Sequence, residues 1–151
     1  MAPKVNSVVL DTSVLFKWYH RADEEDADKA LLIRDAYLSG ALAVNIPDLA
    51  IHEFTNALRY RNALNRDDVS ASANSLWGLG LTVHPVNRSL SEAAIRISYD
   101  CDISVYDSAF VALADRLSST LLTADQALCG KVAGKHPVCY WLMSESKPDR
   151  R

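Results

Sequence analysis

Short β-branched runs, separated by stretches with helical periodicity, set the strongest limit on how this chain can fold. "VNSVVL" (5–10), "LAVNIP" (42–47), "LTVHPV" (81–86), "TLLTAD" (120–125) and "PVCYWL" (137–142) read as strands. Helices are expected over 23–40, 48–64, 67–80, 89–100 and 104–118. Asp48 stands where it could cap the 48–64 helix, and Ser89 with Glu92 has capping-box spacing on the 89–100 helix. Gly40 is expected to stop the 23–40 helix. Regular alternation of strand and helix predicts an α/β fold with three layers, α/β/α, around a central parallel sheet of about five strands. No repeat, low-complexity tract or linker interrupts residues 1–143, which read as one domain; 144–151 read as a polar C-terminal tail.

Composition narrows the class. The chain has 151 residues, 49% of them hydrophobic, which suits one ordinary domain with a core large enough to fold without staples. The N-terminus meets Asp11 before any long apolar stretch develops, so no signal peptide is read, and no apolar window approaches ~20 residues, so no membrane span is expected. A soluble, cytoplasmic protein is the expectation. Cys101, Cys129 and Cys139 are odd in number and widely spaced, a poor disulfide framework. Cys129, His136 and Cys139 fall short of a zinc pattern in both ligand count and spacing. A net charge of −3 argues against holding nucleic acid by bulk positive charge. It does not exclude holding phosphate through bound cations.

The acids are placed unusually. In an open parallel sheet, ligands bind beyond the carboxyl ends of the strands, where strand order reverses. Asp11 directly follows the first strand and Asp125 ends the fourth. If those strands are neighbours, the two carboxylates converge. On a helical wheel at roughly 100° per residue, Glu53 falls between Leu49 and Ala57, inside the apolar half formed with Ala50, Phe54, Leu58 and Leu64. A carboxylate facing the core needs a partner, and no buried base is evident for it. Asp107 lies in the first turn of the 104–118 helix, at the edge of its apolar face. Clustered, these acids could not all stay ionised without cations. An oxygen-only, carboxylate-rich set suits Mg²⁺ or Mn²⁺, and one or two such ions can polarise a phosphodiester and activate water.

Each acid also has a simpler reading. Asp11 could cap a short helix over 13–19, Asp107 has capping-box spacing from Ser104, and Asp125 could cap a helix starting at Gln126. Glu53 fits a solvent-facing role least. The acidic run 22–28 reads as a solvated helix start. His52 has no second His four residues on, and no glycine-rich phosphate loop or G-x-S-x-G elbow is present. Arg59, Arg61 and Arg66, at and beyond the end of the Glu53 helix, are candidates for RNA backbone contacts, with a solvated helix end as the plainer alternative.

"VVLDTSVL", "PDLAIHEFTNAL", "ISVYDSAFVALA" and "LLTADQAL" resemble, in order, the four motifs of PIN-domain proteins, and specifically VapC-type toxins of toxin–antitoxin pairs. The resemblance covers roughly residues 5 to 142. It implies a PIN-like sheet of about five parallel strands and an endoribonuclease dependent on Mg²⁺ or Mn²⁺. It implies that Asp11, Glu53, Asp107 and Asp125 form the catalytic, metal-binding site, with Thr12, Ser13, Asn56 and Thr123 as supporting polar groups. It also implies a homodimer and a small antitoxin that occludes the cleft. His52 beside the glutamate and the acidic 22–28 run depart from the pattern, and the run could serve partner binding.

The resulting expectation is a metal-dependent endoribonuclease that hydrolyses RNA phosphodiester bonds as a toxin. The rivals are a non-catalytic binding module that keeps the acids as caps and a different acidic-site phosphoryl-transfer or receiver-like domain. A HAD-like start would need a second Asp where Ser13 stands, and a receiver would need a lysine at the end of the fifth strand.

Overall fold

Strands that lie far apart in sequence stand side by side at the centre of the molecule. In a computed structural model, which describes residues 6–22, 24–136 and 139–141, β1 (Asn6–Leu10) pairs in parallel with β4 (Thr120–Thr123), Val9 opposite Leu121 and Leu10 opposite Leu122. On its other edge β1 pairs with β2 (Leu42–Pro47), which pairs with β3 (Thr82–His84); β5 (Cys139–Trp141) lies outside β4. All five strands are parallel, in the order β3-β2-β1-β4-β5. The chain builds outward from β1 to β3 and then returns to the far side of β1. The β1/β4 boundary is therefore the switch point at which a parallel sheet opens a crevice.

The connecting helices are α1 (Thr12–Tyr19), α2 (Ala27–Leu38), α3 (Leu49–Arg59), α4 (Arg66–Gly78), α5 (Arg88–Cys101), α6 (Val105–Leu117) and α7 (Gln126–Val132). Right-handed crossovers assign α1 to α4 to one face of this strand order and α5 to α7 to the other. The packing agrees: α1 touches α2 and α3, α3 touches α4, and α5 packs on α6, which covers β1, β2 and β4. The core runs through both layers, with Val9, Leu10, Leu15, Ile46, Phe54, Leu58, Phe110, Leu113 and Leu121 buried. Burying such side chains contributes about 1.5–3 kcal/mol each, which drives assembly of the layers.

The sequence expectations need several corrections. The expected helix over 23–40 begins only at Ala27, and Glu24 lies in the preceding loop rather than in a solvated first turn. Gly40, at φ +80°, does lie just beyond its end. Asp48 has helical φ and ψ and does not cap α3; its Oδ1 instead accepts the Val86 amide at 3.3 Å, tying the ends of β2 and β3 together. Ser89 does not cap α5. Asn87 does, accepting the Leu90 amide at 2.9 Å, so Ser89 falls inside the first turn and Glu92 pairs with Arg88 at 3.1 Å. α4 carries the true capping box, Asn65 with Asp68. The tail 144–151 lies outside the described residues. Among the described residues, no helix is long and apolar enough to cross a membrane.

Candidate active site

The switch point is closed by hydroxyl groups. Asp11 leaves β1 with its amide still in the ladder, donating to the Leu122 carbonyl at 3.0 Å. Its carboxylate is buried, at 7% exposure, and makes no cap bond to α1. Instead Asp11 Oδ2 accepts from Ser13 Oγ at 2.6 Å and from Thr123 Oγ1 at 2.9 Å. Each hydroxyl then accepts from the β4–α7 turn: Ser13 Oγ takes the Ala124 amide and Thr123 Oγ1 the Asp125 amide, both at 3.0 Å. The parallel register makes this possible, because Leu10 opposite Leu122 puts the next residues, Asp11 and Thr123, level with each other.

Glu53 enters from α3, beside buried Phe54. It is half-buried, and its Oε1 accepts from Thr12 Oγ1 at 3.4 Å. Asp107 enters from the first turn of α6, on the opposite face of the sheet, with its amide held by Ser104 Oγ at 3.0 Å. Asp125 starts α7, where Oδ1 accepts the Leu128 amide at 3.0 Å. The cap reading of Asp125 therefore holds alongside its place in the crevice, whereas Asp11 caps nothing.

Electrostatics bind the acids into one group. Burial raises the pKa of Asp11, opposed by the Ser13 and Thr123 hydroxyls, and Asp107 raises it further. Glu53 is pushed up to about 7, first by burial, then by Asp11 and Asp107. Asp107 is raised by burial, pulled back by Ser104 and raised again by Asp125. None of these causes is a neighbouring base, so among the described residues the cluster has charge to neutralise and no protein cation that offsets it. Among the described residues, no three His, Cys, Asp or Glu side chains converge on a common metal-binding point. The donor chemistry, all carboxylate and hydroxyl oxygen, is nonetheless that of a hard divalent cation.

Other expected residues separate. Asn56 is exposed on α3 and makes no hydrogen bond to the acids among the described residues. Arg61 lines the crevice of about 400 Å³ that Thr12, Ser13, Glu53 and Asp125 also line. Arg59 and Arg66 line a different hollow, with Leu64 and Val69. The sequence reading missed Lys17 and Glu24. Lys17 is buried on α1, a helical turn beyond Ser13, and its Nζ donates to Glu24 Oε2 at 2.7 Å. The Ser13–Lys17 spacing was the available signal.

Residues 8–134 match the PIN domain family. The chain belongs to the PIN-domain family. Ribonuclease VapC3 of Pyrobaculum aerophilum is 31% identical over 129 residues, covering 82% of this chain and 93% of that protein. Among solved structures, PAE2754 from Pyrobaculum aerophilum is 26% identical and superposes with a TM-score of 0.58 over 87% of each chain. A chain of a toxin–antitoxin complex from Klebsiella pneumoniae superposes with a TM-score of 0.63 over 89% of this chain and 97% of that one; at 11% identity the likeness is one of fold. The matched PIN region holds Asp11, Glu53, Asp107 and Asp125.

Proposed function

We propose that this PIN-domain chain is an endoribonuclease, dependent on Mg²⁺ or Mn²⁺, that acts as the toxin of a toxin–antitoxin pair. The observation that carries the reading is the electrostatic coupling of Asp11, Glu53 and Asp107 around the β1/β4 switch point, each with a raised pKa and, among the described residues, none with a base among the causes of its shift. Kinship with a ribonuclease VapC supports the choice of RNA. Occurrence of the fold in a toxin–antitoxin complex supports an antitoxin partner. A homodimer belongs to the same reading.

Asp11, Glu53, Asp107 and Asp125 would hold one or two divalent ions. Such an ion, when bound, supplies Lewis-acid polarisation of the phosphodiester and a more acidic water. The chain's own groups do the rest. Ser13 and Thr123 hold the Asp11 carboxylate in one orientation. Thr12 steadies Glu53, whose pKa, raised to about 7 in the metal-free protein, reflects charge that a bound cation would offset. Asp125, exposed at the rim, extends negative charge to the mouth of the crevice.

Incubating purified protein with labelled RNA, in Mg²⁺ or Mn²⁺ and separately in EDTA, tests the reading. Cleavage is expected only with metal and is expected to vanish in D11N. Metal-independent cleavage, or none under any condition, sinks it.

A further inference from the structure

The crevice does not end at the acids. Glu53 and Ala57 line it from α3, and Arg61, two residues past the end of that helix, lines it as well. Along α1, Ser13 and Lys17 line it one turn apart. Both cations meet a single carboxylate from the α1–α2 loop: Glu24 Oε2 accepts from Lys17 Nζ at 2.7 Å and Glu24 Oε1 from Arg61 Nη2 at 3.2 Å. The Arg61 guanidinium also lies over the Phe16 ring, 4.7 Å from its centre, which fixes its plane.

Among the described residues these two cations share one carboxylate in their ion pairs, which leaves a single positive charge over. It also leaves most of the guanidinium and ammonium donors unspent. A structural ion pair would balance its charges, above all where Lys17 is buried to 6% exposure. A surplus cation opening on a crevice whose other end is acidic is suited to an anion that spans both ends. A polynucleotide strand is such an anion: one phosphodiester sits at the acids and the next ones follow the groove. The two oxygens of Glu24 hold Lys17 and Arg61 as the two free oxygens of a phosphodiester would.

Resting on the reading that RNA is the substrate, we propose that Lys17 and Arg61 form a second phosphate-binding subsite, for a phosphodiester flanking the scissile one, and that the Glu24 carboxylate fills this subsite until RNA displaces it. Glu24 keeps the two cations aligned in the free protein. It gives way to a stronger, doubly bonded anion. Glu24 thus has a role at the crevice.

The test measures binding and cleavage separately. Binding of a labelled single-stranded oligoribonucleotide of mixed sequence is followed by fluorescence anisotropy over a salt titration, in a D11N background so that nothing is cut. K17M and R61M are each expected to weaken binding about tenfold and to lower the slope of log K against log salt by about one. K17R is expected to restore most of the loss. E24Q is expected to tighten binding several-fold at low salt, because it frees both cations. Unchanged affinity and slope in R61M overturn the subsite, and Arg61 is exposed enough that its loss leaves the fold standing even if K17M unfolds. Weaker binding in E24Q overturns the displacement by RNA. Cleavage of the same RNA by protein with Asp11 intact separates the two ideas. Absence of cleavage with Mn²⁺ fails the nuclease reading, whereas cleavage with an unaltered KM in K17M and R61M fails the subsite alone.

Discussion

Thr123 Oγ1 donates to Asp11 Oδ2 at 2.9 Å and accepts the Asp125 amide at 3.0 Å, so one fully buried hydroxyl couples the ends of β1 and β4. T123V keeps the volume and removes both bonds. It leaves a buried carboxylate short of a donor and an amide without its acceptor, each costing about 1–3 kcal/mol. T123V is therefore expected to lose roughly 2–4 kcal/mol in urea unfolding and to lose activity, while T123S keeps most of both. A T123V protein as stable as wild type would mean that the hydroxyl does not hold the turn.

Asp11 lies in a site that resists its charge, since burial and Asp107 raise its pKa. D11N keeps hydrogen-bonding atoms for Ser13 and Thr123 and removes the charge. It is expected to abolish RNA cleavage while leaving the metal-free midpoint of thermal unfolding equal or higher. The pairing of lost activity with retained stability is the mark of a functional acid. Loss of both would assign Asp11 to the architecture.

These acids were legible before the structure because each broke a local rule. Asp11 ended a buried strand, Asp125 ended a second, and Glu53 fell on the wrong face of α3. Strand adjacency was an assumption of the doubly wound order, and the β1–β4 pairing supplies it. Capping was less legible, because several polar residues in succession compete for one site: Asn87, two residues before Ser89, takes the Leu90 amide. Glu24 was not legible at all. Its partners, Lys17 and Arg61, sit on α1 and just past the end of α3, and only tertiary packing brings those helices together over the loop.

Glu53 predicts a pH dependence. In the unfolded chain it ionises near its ordinary 4.5, and in the folded one near 7. Between those values the native state holds a proton that the unfolded state has lost. Stability is thus full below about pH 4.5 and falls as pH rises through 7, by on the order of 2 kcal/mol once partial solvation is allowed for. Thermal melts in EDTA should show the metal-free protein less stable at pH 8 than at pH 5, and E53Q should flatten the difference. E53Q is also expected to cleave no RNA. A pH response identical in E53Q and wild type would remove Glu53 as its source.

Divalent metal should reverse that penalty. Ions that bind the folded acids and not the unfolded chain stabilise by mass action, by about 2.7 kcal/mol at a hundredfold excess over Kd. The rise in melting temperature with Mn²⁺ is expected to be largest at pH 8, where the acids are ionised, and small at pH 5. D107N should lose most of it. An equal Mn²⁺ shift in D107N would place the ion elsewhere.

Asp125 carries two roles that a pair of substitutions can part. Its Oδ1 caps α7 through the Leu128 amide, and its charge acts on Asp107. Asparagine caps a helix about as well as aspartate, and alanine does not. D125N is accordingly expected to keep stability within about 0.5 kcal/mol, and D125A to lose about 1 kcal/mol. Both lack the carboxylate, so both are expected to lose cleavage to a similar degree despite their different stabilities. If activity instead follows stability across the two, with D125N close to wild type, then Asp125 serves the helix alone and the acidic site rests on Asp11, Glu53 and Asp107.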